Sequence, residues 1–274
     1  MYLGLTVLWI VAAMAAQGQV GTAGPPVTRR ILDPAGPNAV AKAAKVPIQD
    51  FTDTVLIQDA NSVALNLVQA AGPNGGVVLN FTPDQALLIL QAVQKQGLTN
   101  KVKAWGCSTP CNSDFVAAAL GTAWDGVFGV NAELNLPSAP GPDSKLYRQL
   151  VPTAKLAFGL GSFSQMGFTE ARIATAALLN MKPPYTLKRV NQAFGGVTNF
   201  HTDILCNPWY FGVAPRHIPN NVDRTVTPNN GKMVVKQGCF KISAADPDIA
   251  KVRVIEKKNP QLTTGKAYPL QGTK

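Results

Sequence analysis

The sequence predicts an α/β protein in which parallel sheets are flanked by helices and shared between two lobes. Three features predict it. Residues 76–134 alternate short apolar runs with helical stretches, the order that a parallel sheet with crossover helices requires. Pro137-Ser-Ala-Pro-Gly-Pro142 is a rigid, charge-poor break, after which the texture turns helical. Two strand-like runs, 206–213 and 232–242, then return late in the chain. Two isolated strands do not bury themselves, so these must rejoin an earlier sheet.

Asn61 to Ala71 reads as an amphipathic helix stopped by Gly72-Pro73. Gly76 to Phe81 is an apolar run suited to a strand buried on both faces. Thr82 is placed to cap the next helix, with Pro83 in its first turn and Gln85 three residues on, as a capping box requires. Gly97 ends that helix as a left-handed residue, and Lys101 to Gly106 is the next strand. A short apolar helix leads to a strand over 126–134. Beyond the Pro-rich break, helices are expected over 143–151 and 163–181, the second rich in alanine, and over the stretch capped by Thr186 and stopped at Gly195-Gly196. Asn229-Asn-Gly231 is a hairpin-type turn.

A chain of 274 residues, 46% hydrophobic and 15% charged, is long enough for well-buried cores and carries no sign of wholesale disorder. Its 25 basic against 15 acidic residues give +10. The basic residues are scattered, and neither zinc spacing nor an aromatic platform accompanies them, so a basic surface is favoured over nucleic-acid binding. Such a surface also holds a secreted protein near an anionic envelope. Residues 1–16 form an uncharged apolar run with Ala13-Met14-Ala15 as a small-x-small cleavage pattern, but no Lys or Arg precedes Arg29. It reads equally as a secretory leader or as a core segment. Four cysteines favour disulfides and an oxidising compartment, with Cys107 and Cys111 four apart and Cys206 and Cys239 in the last third.

No Walker loop or GxGxxG occurs, and Gly159-Leu-Gly161 has the wrong following spacing. His201-Thr-Asp203 and His217 lack a serine in a nucleophile-elbow context, which disfavours a hydrolase. Catalytic residues, metal ligands and cofactors are therefore not expected. Ligands of such sheets sit outside the carboxyl ends of the strands. Phe81 and Trp105 are candidate apolar walls, Thr82 and Ser108 candidate hydroxyl contacts, and Asp125 a candidate carboxylate for a ligand ammonium group. As a bland alternative, Asp125 is a loop acid or a helix cap.

The runs VVLNFTPDQALLILQAVQKQGLTNKVKAWG and WDGVFGV, with FSQMGFTEARIATAALLN and GKMVVKQGCFKI after them, resemble extracytoplasmic solute-binding proteins of the leucine/isoleucine/valine-binding type. The resemblance covers roughly residues 40–242 in order and spacing. It implies a type 1 periplasmic-binding-protein fold, two lobes joined by three crossings, and a role in an ABC-type uptake system. The implied partners are an amino acid or similarly small polar solute, held in the interlobe cleft, and a membrane permease. Phe81 or Thr82 falls where the family places a ligand contact, and Asp125 where it places the ammonium-binding carboxylate. On this reading residues 1–30 are leader and linker, 31–136 lobe II, 137–213 the remaining, mainly helical part of lobe I, and 214–274 a return to lobe II strands with a tail. The first half of lobe I is expected to be missing. Its helices would then lack their sheet, favouring self-association, and a non-binding remnant is the alternative function.

Overall fold

The computed structural model describes residues 10–12, 42–43, 45, 47, 57, 59–155, 159–211 and 222–265. The linker 17–30, most of the leader, His217 and residues 266–274 lie outside the described residues. In chain order the main elements are β1 (Ile10–Ala12), α1 (Ala60–Ala71), β2 (Gly76–Leu79), α2 (Pro83–Lys95), β3 (Ala104–Cys107), α3 (Asp114–Leu120) and β4 (Phe128–Ala132). They continue with α4 (Pro142–Leu150), α5 (Ser162–Leu179), α6 (Leu187–Gly195), β5 (Val222–Asn229), β6 (Lys232–Lys241), α7 (Pro247–Lys258) and α8 (Gln261–Thr264). The sheet has the order β1-β2-β3-β4-β5-β6, and its first four strands are parallel. The architecture is thus α/β, with a parallel core sheet extended by a hairpin.

Two compact units divide the chain. One comprises Met1–Asn131 with Val226–Val234, the other Ala132–Thr225 with Val235–Lys274. The polypeptide therefore passes between them after Asn131, after Thr225 and after Val234.

In the first unit, α1 packs on α2 and α2 on α3, one layer of helices, as crossovers of constant hand between strands in the order 2-3-4 produce. Val77, Leu79, Ile89, Leu90, Val93, Phe128 and Val130 are essentially inaccessible to solvent, each large one contributing about 1.5–3 kcal/mol. Trp124 meets Trp105 and Phe128 edge-on at 5.6 and 6.0 Å. Their indoles are satisfied, Trp105 Nε1 donating to Thr99 O at 2.8 Å and Trp124 Nε1 to Gln94 Oε1 at 3.0 Å. Helix α2 ends in a Schellman motif, with Leu98 N bonded to Val93 O and Gly97 N to Gln94 O and Gly97 at φ 67°.

Several expectations change. The capping box at Thr82 does not form. The Thr82 side chain makes no cap bond, and Gln85 is buried with Oε1 accepting from Ile57 N at 3.1 Å. A buried amide N–H without a partner costs more than an exposed cap gains. The strand expected from Lys101 begins at Ala104, because Thr99–Lys101 is a 3-10 turn. The strand expected over 206–213 is replaced, among its described residues, by an isolated bridge from Trp209 to Phe200. Within 214–274, expected to be strands and a tail, residues Pro247–Lys258 form α7, whose N-cap Asp246 accepts from Asp248 N and Ile249 N. From the apolar N-terminal run, Ile10–Ala12 pair in parallel with β2. The turn over 229–231 is confirmed, with Asn230 and Gly231 both at positive φ.

The second unit packs α5 against Val197 and Phe200 through Ile173, Ala176 and Ala177, with Phe194, Trp209 and Phe211 around them. Tyr147, fully buried, donates to Gly161 O at 3.1 Å and accepts from Gly161 N at 2.9 Å. Helix α4 takes its cap from far along the chain. Asp203 Oδ1 accepts from Asp143 N at 2.7 Å, and Oδ2 accepts from Ser144 N at 3.2 Å and from Ser144 Oγ. Gly141 makes room for it, since a Cβ there would lie 2.1 Å from Asp203 Cγ. The cysteines form disulfides as expected, and the structure sets their pairing as Cys107–Cys111 and Cys206–Cys239, with Cα atoms 6.1 and 5.7 Å apart. Among the described residues no helix is long and apolar enough to cross a membrane.

Candidate functional site

The parallel register sets which loops share an end of the sheet. Leu79 pairs with Cys107 and Cys107 with Val130, so the residues just after Leu79 and Cys107 emerge side by side. These are Asn80, Phe81 and Thr82 on one loop and Ser108 and Thr109 on the next. The loops are joined by polar bonds: Ser108 Oγ donates to Asn80 Oδ1 at 2.7 Å and Ser108 N to Leu79 O at 3.1 Å. Thr109 Oγ1 donates to Asn131 O at 3.2 Å, fastening the same loop to the end of β4. The Cys107–Cys111 bridge closes the short 3-10 turn Thr109–Cys111. Backbone at this end is therefore fixed in position, the condition for precise polar contacts to a small molecule.

Asp84 supplies this end with a carboxylate. It is exposed and lies in the first turn of α2. Burial pushes its pKa up, but hydrogen bonds from Thr82, from Gln85 and from the backbone N–H groups of Asp84 and Gln85 outweigh that and hold it below the usual carboxylate range. The group is ionised at neutral pH, and its charge is favoured at a helix N-terminus.

The five candidates do not form one cluster. Phe81, 5% exposed, Thr82 and Ser108 lie at the carboxyl ends of β2 and β3. Trp105 is 1% exposed and packs in the core against Trp124, so it walls the hydrophobic interior and no ligand space. Asp125 precedes β4 and lies at the amino end of the sheet, the opposite end. Its Oδ2 accepts from Asn230 N at 3.0 Å, which anchors the hairpin turn. That is the loop-acid reading of Asp125. A shallow groove of about 350 Å³ between Gln91, Gln94 and Lys95 of α2 and Ala118–Gly121 also lies away from the polar cluster, and Gln94 there is committed to Trp124.

Asn80 and Asp84, which the structure brings to this end of the sheet, were not among the sequence candidates. The available signal was their position one and five residues after the last strand residue, Leu79.

No protein-family model matches the chain, and no curated protein does. Solved structures do. A fatty acid ABC transporter substrate-binding protein from Thermomonospora curvata matches with a TM-score of 0.59 at 18% identity, over 84% of this chain and 56% of its own. A branched chain amino acid ABC transporter from Thermus thermophilus with bound valine matches with a TM-score of 0.62 at 16% identity, over 78% and 58%. A leucine binding protein from Thermotoga maritima matches with a TM-score of 0.54 at 11% identity, over 73% and 53%. The chain thus spans little more than half the length of these structures, and over that span it has their fold.

Proposed function

From a fold shared with substrate-binding proteins of ABC transporters, we propose that this chain is the extracytoplasmic solute-binding component of an ABC-type uptake system, working with a membrane permease. It binds an amino acid or a similar small polar solute and carries out no chemistry of its own. The observation that carries this reading is the polar cluster at the carboxyl ends of β2 and β3, where Ser108 and Asn80 are hydrogen-bonded 2.7 Å apart and Asp84 lies in the first turn of the helix that follows β2. Ligands of open parallel sheets bind at that end.

The chemistry of the cluster selects the solute class. A hydroxyl and an amide offer both donors and acceptors, and the Asp84 carboxylate attracts an ammonium group. An α-amino acid uses all three, whereas a fatty acyl chain uses none. Phe81 is almost wholly buried, so its part is to pack beneath the loop and position Thr82.

Thermal unfolding with and without a panel of amino acids, small amides and one medium-chain fatty acid tests this reading. A solute at 100 times its Kd adds about 2.7 kcal/mol, which raises the midpoint by roughly 5–10 °C for a chain of this size. Ser108→Ala and Asp84→Asn should abolish a selective rise, while Asp125→Ala should lower the baseline midpoint and leave the rise intact. A rise that survives Ser108→Ala and vanishes with Asp125→Ala would reject this site. A cooperative transition that no member of the panel moves would reject amino acid binding.

A further inference from the structure

The tip formed by the end of α5 and the start of α6 gathers four exposed apolar side chains within ten residues of chain. Leu178 is 44% exposed, Leu179 53%, Tyr185 70% and Leu187 77%, and α6 buries none of its residues fully. Single exposed leucines are ordinary, but here the charge pattern is one-sided as well. From Ala171 to Thr202 the chain carries Arg172, Lys182, Lys188 and Arg189 and no acidic residue. Arg172 is paired with Asp143 at 2.9 Å, so three cations remain at the tip.

The tip is also held in shape. Thr186 Oγ1 accepts from Arg189 N at 3.3 Å. Arg189 Nη1 donates to Lys182 O at 3.0 Å and to Pro183 O at 2.6 Å. The apolar side chains are thereby presented on an ordered loop, which lowers the conformational cost of docking.

We propose that this tip docks on an anionic lipid bilayer. Tyr185 and Leu187 enter the interface, where an amphipathic phenol and an aliphatic side chain are both favoured, and Lys182, Lys188 and Arg189 meet lipid phosphates. Three cations near an anionic surface strengthen partitioning on the order of a hundredfold over a neutral one. The overall charge of +10 acts in the same direction at longer range.

Co-sedimentation of the full chain with vesicles tests the proposal, comparing phosphatidylcholine alone with phosphatidylcholine plus phosphatidylglycerol. Binding is expected to the mixed vesicles, at least ~10-fold weaker binding to the neutral ones, and loss of binding at high salt. Lys182→Glu with Lys188→Glu should abolish it, and Tyr185→Ser with Leu187→Ser should weaken it about 10-fold. Lys257→Glu with Lys258→Glu, the same charge change on α7, should leave it nearly unchanged. Circular dichroism confirms that each variant is folded. If one is not, Tyr185→Trp replaces it, and vesicle binding should then shift the added indole emission to the blue. No binding to mixed vesicles, equal losses from the tip and α7 variants, or no blue shift would overturn the proposal. So would binding only to a membrane protein in detergent and not to lipid.

Discussion

Replacing Asp203 with alanine removes the cap of a helix that begins sixty residues earlier. Its carboxylate accepts from two backbone N–H groups of the first turn of α4, at 2.7 and 3.2 Å, and from the hydroxyl of Ser144. An ordinary cap contributes about 0.5–2 kcal/mol, and a hydrogen bond to a charged group about 1.5–3. Ser144 is fully buried, so its hydroxyl would also lose a partner, at about 1–3 kcal/mol. These contributions share one side chain and do not add in full, which places the loss near 3 kcal/mol. Asp203→Asn keeps one acceptor oxygen and should lose about half as much. Urea denaturation followed by circular dichroism reads this as a shift of the midpoint by about 1 M, for a slope of about 3 kcal/mol/M. A companion variant reports on the same contact: Gly141→Ala places a methyl group 2.1 Å from Asp203 Cγ, and its damage should shrink when Asp203 is already alanine. A loss under about 0.5 kcal/mol in Asp203→Ala, or equal losses in the Ala and Asn variants, would refute the capping role.

Removing Cys206–Cys239 as a double alanine variant should lower stability by about 3–4 kcal/mol, because its sequence separation is 33; removing Cys107–Cys111, with a separation of 4, should cost only about 2 kcal/mol in the same chain-entropy treatment. Denaturant midpoints under non-reducing conditions check both values. Asp84 contributes a pH dependence of defined sign. Its hydrogen bonds hold its folded pKa below the ordinary aspartate value of about 3.9, so its stabilising contribution is present above about pH 4 and fades as pH falls through the folded value. The gap between parent and Asp84→Asn midpoints, small because the group is exposed, should therefore narrow below pH 4, and a gap that widens there would contradict the assignment.

Much of the first unit was legible in the sequence because local signals and packing agree there. Pro83 and Gly97 bracket α2 in the order that helix starts and stops require, and the Asn229–Gly231 turn follows from residues that tolerate positive φ. Some of the failures have a common physical origin in long-range partners. Gln85 looks like a capping residue until Ile57 N needs its oxygen, and Trp105 looks like a pocket wall until Trp124 covers it. Asp125 was grouped with the strand carboxyl ends although the strand expected over 126–134 already put it before a strand, and the register Trp105 to Phe128 fixes it at the amino end of the sheet. Strand β5 was missed although a hairpin turn before β6 demands a strand on its other side. Helix α7 was missed although Asp246-Pro247 is a cap followed by an N1 proline.

The first unit also constrains the order in which the chain must assemble. Its sheet is completed by Val226–Val234, a segment that leaves the ribosome only after most of the second unit. Until then β4 offers an unpaired edge, and the partners that will anchor the hairpin tip are waiting: Asp114 Oδ1 for Met233 N, 119 positions away, and Asp125 Oδ2 for Asn230 N, 105 away. Pairings at such separations form late and leave a sticky intermediate behind them. The Cys206–Cys239 bond encloses the returning segment, so once formed it confines the search that β5 and β6 make for β4. Refolding with this bond intact should therefore be faster and leave less aggregate than refolding with the cysteines reduced.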